Sequence, residues 1–123
     1  MFSISITSFG FKYGIPIDAD MVFDVRFLPN PYYVKSLKDH KGTEKVIQDY
    51  IMKWPVSGQF LDKFLDFIDF LIPEYTKEGK SHLAIAIGCT GGRHRAVTTS
   101  LKLKEFLERK NCKVNLRHRD INK

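Results

Sequence analysis

The sequence predicts a single α/β domain, a small and mostly parallel sheet flanked by helices. Three observations carry this. The 123 residues leave room for one hydrophobic core. Leu83–Ile87 (LAIAI) is a short, wholly apolar run, which is how a parallel strand covered on both faces reads. Strand-like and helix-like segments alternate along the chain. With 43% hydrophobic and 28% charged residues, the chain is no disordered, collagen-like or membrane-bundle sequence.

Taken in order, Ser3–Ser8 alternates Ser/Thr with Ile at period two, the pattern of a strand. Gly10 and Gly14 bracket a turn-rich loop that ends at Pro16. Met21–Phe27 (MVFDVRF) is a second strand, and the prolines of Leu28-Pro29-Asn30-Pro31 stop it. Thr43–Lys53 has Val46, Ile47, Tyr50 and Ile51 on one helical face. Ser57 is placed to cap the next helix. In that helix Phe60, Leu61, Phe64, Leu65, Ile68, Leu71 and Ile72 form the buried stripe, and Pro73 is expected to end or kink it. After the Leu83–Ile87 strand and a glycine turn, a helix is expected from about His94 to Lys110, then a short strand over Lys113–His118.

The net charge of +6 is unevenly spread. Residues 1–92 hold 10 Lys/Arg and 11 Asp/Glu, whereas residues 93–123 hold 10 Lys/Arg against Glu105, Glu108 and Asp120. Such a block suits a polyanion or a phosphorylated partner, and a solvated helix face with a frayed tail is the alternative. The first residues, MFSISITSFGFKYG, lack a basic n-region and an apolar h-region, and no run approaches the roughly 18 apolar residues of a membrane span. A reducing, cytoplasmic setting with no membrane contact is the expectation. Cys89, His94, Cys112 and His118 lack zinc-ligand spacing, so no metal or cofactor is expected.

The segment that carries chemistry is Gly88-Cys89-Thr90-Gly91-Gly92-Arg93-His94-Arg95. Glycines here let a backbone bend and approach a ligand, and the following helix start offers free N–H groups. Arg93, His94 and Arg95 put cations at the positive end of a helix, a placement that an anion such as phosphate would compensate. The same residues spell C-x5-R, the pattern of cysteine-dependent phosphatases, with Cys89 as nucleophile and Arg95 chelating oxygens. That chemistry also needs a general acid; Asp24 and Asp39 are candidates, and Ala96 stands where a hydroxyl would assist the leaving thiolate.

Phe23–Pro31 (FDVRFLPNP), Ala86–Thr98 (AIGCTGGRHRAVT) and Arg117–Ile121 (RHRDI), in that order, resemble the C-terminal domain of the RapZ family of RNase adapter proteins, called YvcJ in Bacillus-type bacteria. The opening SFGFKYGIPIDAD is similar to that domain's start. The resemblance implies a fold like a subdomain of 6-phosphofructokinase spanning residues 1–123, homo-oligomers, and nucleotide hydrolysis confined to an N-terminal P-loop domain absent from this chain. No G-x-x-x-x-G-K-[ST] occurs here, and no enzymatic activity is assigned. It further implies sensing of a phosphorylated amino sugar or nucleotide sugar, such as glucosamine-6-phosphate or UDP-N-acetylglucosamine, and binding of small RNA. An oligomerisation scaffold for the P-loop domain is the other non-enzymatic reading.

The ligand residues the resemblance and the loop together imply are Cys89, Thr90, Gly91, Gly92, Arg93, His94 and Arg95, with Asp24, Arg26, Asn30, Tyr32 and His118. Tyr32 stands where enteric members carry a histidine and fits the Bacillus-type branch. The RNA contacts expected from the charge block are Lys102, Arg109, Lys110, Lys113, Arg117 and Arg119.

Overall fold

A computed structural model describes residues 2–123. Four strands, β1 (Ser3–Gly10), β2 (Met21–Asp24), β3 (His82–Cys89) and β4 (Lys113–His118), form one sheet in the order β2-β3-β1-β4. Every pairing is parallel, with Ile6 opposite Ile85 and Leu116, and Gly10 opposite Cys89. The helices are α1 (Lys45–Met52), α2 (Pro55–Lys77) and α3 (Arg95–Arg109).

The period-two alternation divides the sheet. Ile4 and Ile6 of β1 and Leu83, Ile85 and Ile87 of β3 meet Ile47 and Ile51 of α1, Phe64 and Ile68 of α2, and Leu103 and Leu107 of α3 in one core. The alternate residues of β1 and β3, Ser5, Thr7, Ala84 and Ala86, face the other way. There they share a hollow with Pro16, Asp18 and Ala19 of the β1–β2 connection. The second cover that the LAIAI run called for is therefore a loop, and the small side chains suit its close approach.

Three local expectations are corrected. β2 ends at Asp24, not Phe27. Val25 still donates to Gly88 O (2.9 Å), but the Arg26 and Leu28 carbonyls then turn inward and accept from the Arg95 guanidinium. α2 begins at Pro55 with Trp54 as its N-cap, because proline suits the first helical position. Ser57 is buried in the first turn, and its hydroxyl donates to Ile51 O (2.6 Å), tying α2 to the end of α1. Pro73 neither ends nor divides α2, which runs on to Lys77 while Tyr75 packs against the core. In α3 the buried residues run unbroken from Arg95 to Ser100, since the helix start lies beneath the loop around Gly42 as well as against the sheet.

Candidate functional site

In a parallel sheet, ligands gather outside the carboxyl ends of the strands, where neighbouring connections leave in opposite directions. Here β1 connects across β3 to β2, and β3 connects across β1 to β4. A cavity of about 350 Å³ opens at that point. Its lining draws on the β1 extension (Lys12, Tyr13), the turn after β2 (Asn30, Tyr32, Tyr33, Lys38), the β3–α3 loop (Cys89, Thr90, Gly91, Arg93, His94, Arg95) and the tail (Lys123). No Asp or Glu lines it among the described residues.

Two glycines make the loop possible. A Cβ on Gly10 would lie 2.5 Å from the Gly91 carbonyl carbon, so the end of β1 touches the loop backbone directly. Gly92 adopts φ +78° against Gly10, a conformation and a space that both demand glycine.

Arg95 is only 5% exposed. Its Nη1 donates to the carbonyls of Arg26 and Leu28 (3.3 Å to the latter), and Nη2 lies 3.4 Å from Thr90 Oγ1. Among the described residues its Nε is buried without a partner, as is the Nε of Arg93, whose Nη2 donates to Asp39 O (3.3 Å). Burial pulls the Arg95 pKa down from its usual value, the mark of a cation held in a poorly solvated place. His94 is buried, and burial together with Arg93 and Arg95 lowers its pKa against the hydrogen bond to the His40 carbonyl. Its Nε2–H donates to His40 O (2.6 Å) and fixes the loop of residues 38–42 over α3. Cys89 is buried at the end of β3, and its sulfur accepts from the Ala96 N–H (3.3 Å).

Of the sequence-derived ligand residues, Cys89, Thr90, Gly91, Arg93, His94, Arg95, Asn30 and Tyr32 are brought together around the cavity. Gly92, Asp24, Arg26 and His118 are not among its lining residues. Gly92 shapes the turn. Asp24 and Arg26 form a bidentate pair (2.7–3.1 Å), with Arg26 stacked 4.0 Å over Phe11. His118 bonds Ser8 Oγ through Nδ1 (2.7 Å), and burial lowers its pKa. Asn30 accepts from the Tyr32 N–H (3.1 Å) and so sets the tyrosine's turn. Residues missed by sequence reasoning are Lys12, Tyr13, Tyr33, Lys38 and Lys123. Only their proximity to Gly10, Tyr32 and the RHRDI segment could have signalled them.

The expected RNA contacts separate too. Lys113 and Arg117 are exposed at alternate positions of the edge strand β4, and Arg109 is exposed at the end of α3. Lys102 is half-buried, and Lys110 faces Asp69 (3.6 Å). Arg119 is withdrawn from the surface: its guanidinium binds Asp120 and the carbonyls of Tyr13 and Gly14. Among the described residues no helix is long and apolar enough to cross a membrane, and no cluster of His, Cys, Asp or Glu could hold a metal ion.

Comparison with known proteins bears on this arrangement. Residues 2–122 match the family model for the RapZ C-terminal domain. A nucleotide-binding protein of Halothermothrix orenii is 65% identical over 121 residues, covering 98% of this chain and 43% of that protein. One of Carboxydothermus hydrogenoformans is 57% identical over 98% of this chain and 42% of its own length. One of Clostridium botulinum (strain Loch Maree / Type A3) is 56% identical over 97% and 40%. The chain thus spans about two fifths of the curated relatives it matches. On its sequence, its parallel sheet and the match along nearly its whole length, the chain belongs to the RapZ C-terminal domain family.

Proposed function

We propose that this domain binds a phosphorylated sugar or nucleotide sugar in the cavity at the β1/β3 ends and acts as a metabolite sensor. The observation that carries this is the charge of the wall. Lys12, Lys38, Arg93 and Arg95 line it, and none of the four has an ion-pair partner among the described residues. Guanidinium groups held at fixed positions suit phosphate oxygens, which they grip in pairs. Tyr13, Tyr32 and Tyr33 add rings on which a sugar face or a base can lie. A free ammonium finds no Asp or Glu side chain among the described lining residues, which favours an N-acetylated or nucleotide-linked sugar over a free amino sugar. The relatives' name, nucleotide-binding protein, agrees with that order.

Titration calorimetry with UDP-N-acetylglucosamine, glucosamine-6-phosphate and inorganic phosphate tests the reading. Binding in the order UDP-sugar, amino-sugar phosphate, phosphate is expected, and heat from none of them overturns it. The sequence's alternative of phosphatase chemistry on C-x5-R is less well supported. Cys89 is 2% exposed, its sulfur is engaged by the Ala96 N–H, and the Asp24 carboxylate is spent on Arg26.

A second surface supports the adapter role. Lys113 and Arg117 stand exposed on β4, with Arg109 exposed at the end of α3. If these three side chains neutralise RNA phosphates, the log–log salt slope is about −2 to −3. Lys113→Glu with Arg117→Glu should abolish binding to a structured small RNA and spare the cavity. Salt-independent binding argues against this surface.

A further inference from the structure

The RHRDI segment ends in a pair that lines no cavity, yet three cavity residues depend on it. Asp120 is fully buried, and its Oδ2 accepts from the Gly10 N–H (2.8 Å). The same carboxylate takes Nε and Nη2 of Arg119 (2.9–3.2 Å) and lies 2.8 Å from Lys123 Nζ. Arg119 Nη2 goes on to donate to Gly14 O (2.6 Å) and Tyr13 O (3.3 Å). Both ends of the segment Gly10–Gly14 are therefore pinned, and that segment carries Lys12 and Tyr13 into the cavity. Lys12 N–H closes the arrangement by donating to Thr90 O (3.3 Å) in the ligand loop. Lys123, the third dependent residue, is held by Asp120 directly.

We infer that Asp120 and Arg119 are positioning residues for the anion cavity, a role resting on the phosphate-binding reading above. The pair sets where Lys12, Tyr13 and Lys123 stand and presses Gly10 onto the Gly91–Gly92 backbone. A lone buried carboxylate beside an anion site would weaken anion binding by repulsion. Here it is fully spent on donors, and burying it fixes the cations that face the ligand.

This gives a test in which two explanations differ in sign. Asp120→Asn keeps the shape and can still accept from Gly10, but it removes one negative charge near the cavity. If Asp120 acts only through its charge, UDP-N-acetylglucosamine and pyrophosphate bind Asp120→Asn more tightly. If it positions the cations, both bind about tenfold more weakly. The double variant with Lys12→Ala separates positioning from general weakening of the fold. Its loss should be smaller than the sum of the single losses, because Asp120 works partly through Lys12. Arg119→Lys, which keeps the charge but loses the fork, should fall between wild type and Asp120→Asn. Circular dichroism at the assay temperature confirms the fold in each variant. Tighter or unchanged binding in Asp120→Asn, or strictly additive losses, overturns the inference. If wild type itself binds neither anion, the phosphate reading has failed instead. Where wild type binds, loss in Arg95→Met with none in Asp120→Asn leaves the site and removes the clamp.

Discussion

Replacing Arg95 by methionine should separate what this residue does for the fold from what it does for a ligand. Methionine keeps the length of the side chain and discards its charge and donors. In the free domain Arg95 is a 5% exposed cation with carbonyl and hydroxyl partners and, among the described residues, an unpartnered Nε and no bound carboxylate. Its hydrogen bonds to Arg26 O and Leu28 O contribute roughly 1.5–3 kcal/mol each by the scale for charged donors. Desolvating a guanidinium without a counter-charge costs several kcal/mol in the opposite direction. The two nearly cancel, so ligand-free Arg95→Met should unfold within about 1 kcal/mol of wild type. With ligand the balance changes, because an anion supplies the missing charge. At a ligand concentration about 100 times the wild-type Kd, wild type gains about 2.7 kcal/mol, which is roughly 10 °C in Tm for a domain of this size. Losing a charged hydrogen-bonding group costs about 2–3 kcal/mol of affinity, so the variant should gain less than about 1 kcal/mol. The assay is thermal unfolding by circular dichroism with and without UDP-N-acetylglucosamine, paired with calorimetry. Equal ligand-induced shifts in both proteins would refute the reasoning. So would a free variant several kcal/mol less stable than wild type, since Arg95 would then be a structural residue first.

Asp120 predicts a specific acid response. Burial alone would raise its pKa, but the hydrogen bonds from Arg119, Gly10 and Lys123 outweigh burial and hold it down to about 2. A carboxylate depressed on folding stabilises above its unfolded pKa and loses that stabilisation as pH falls through the folded value. Wild type should therefore exceed Asp120→Asn by roughly 2 kcal/mol at pH 5, and urea unfolding should find the gap closing between about pH 4 and 2. Gly10→Ala drives a Cβ to 2.5 Å from the Gly91 backbone, where neither strand nor loop has a flexible side chain to yield. A destabilisation of more than about 2 kcal/mol, together with lost ligand heat, is expected from chemical unfolding and calorimetry. Ser100 on α3 buries a hydroxyl that has no partner among the described residues, so Ser100→Ala should raise stability by about 1 kcal/mol in the same unfolding assay.

The sequence by itself determined the fold class, the order of elements and the glycine loop between β3 and α3. Those signals are local. Alternation in Ser3–Ser8, the LAIAI run and the C-x-x-G-x-x-R turn each lie within a few residues, and side-chain period and glycine conformation are read at that range. Tertiary structure decided what depends on distant partners. Where β2 ends was set by Arg95, about seventy positions later in the chain, which claims the Arg26 and Leu28 carbonyls. Pro73 reads as an end or a kink, and that it does not end the helix depends on the core that holds Tyr75, of which a single residue carries no record. The same limit governs the site. A basic block near the C-terminus looks like one surface when charges are counted along the chain. In space it splits: Arg93, Arg95 and Lys123 turn to the cavity, Arg119 turns to Asp120, and Lys113 and Arg117 face solvent. Lys12, Tyr13 and Lys38 join the first group from loops far away in sequence, because parallel pairing brings the carboxyl ends of β1 and β3 together. Composition counts cations; only the folding of a parallel sheet assigns each one a partner.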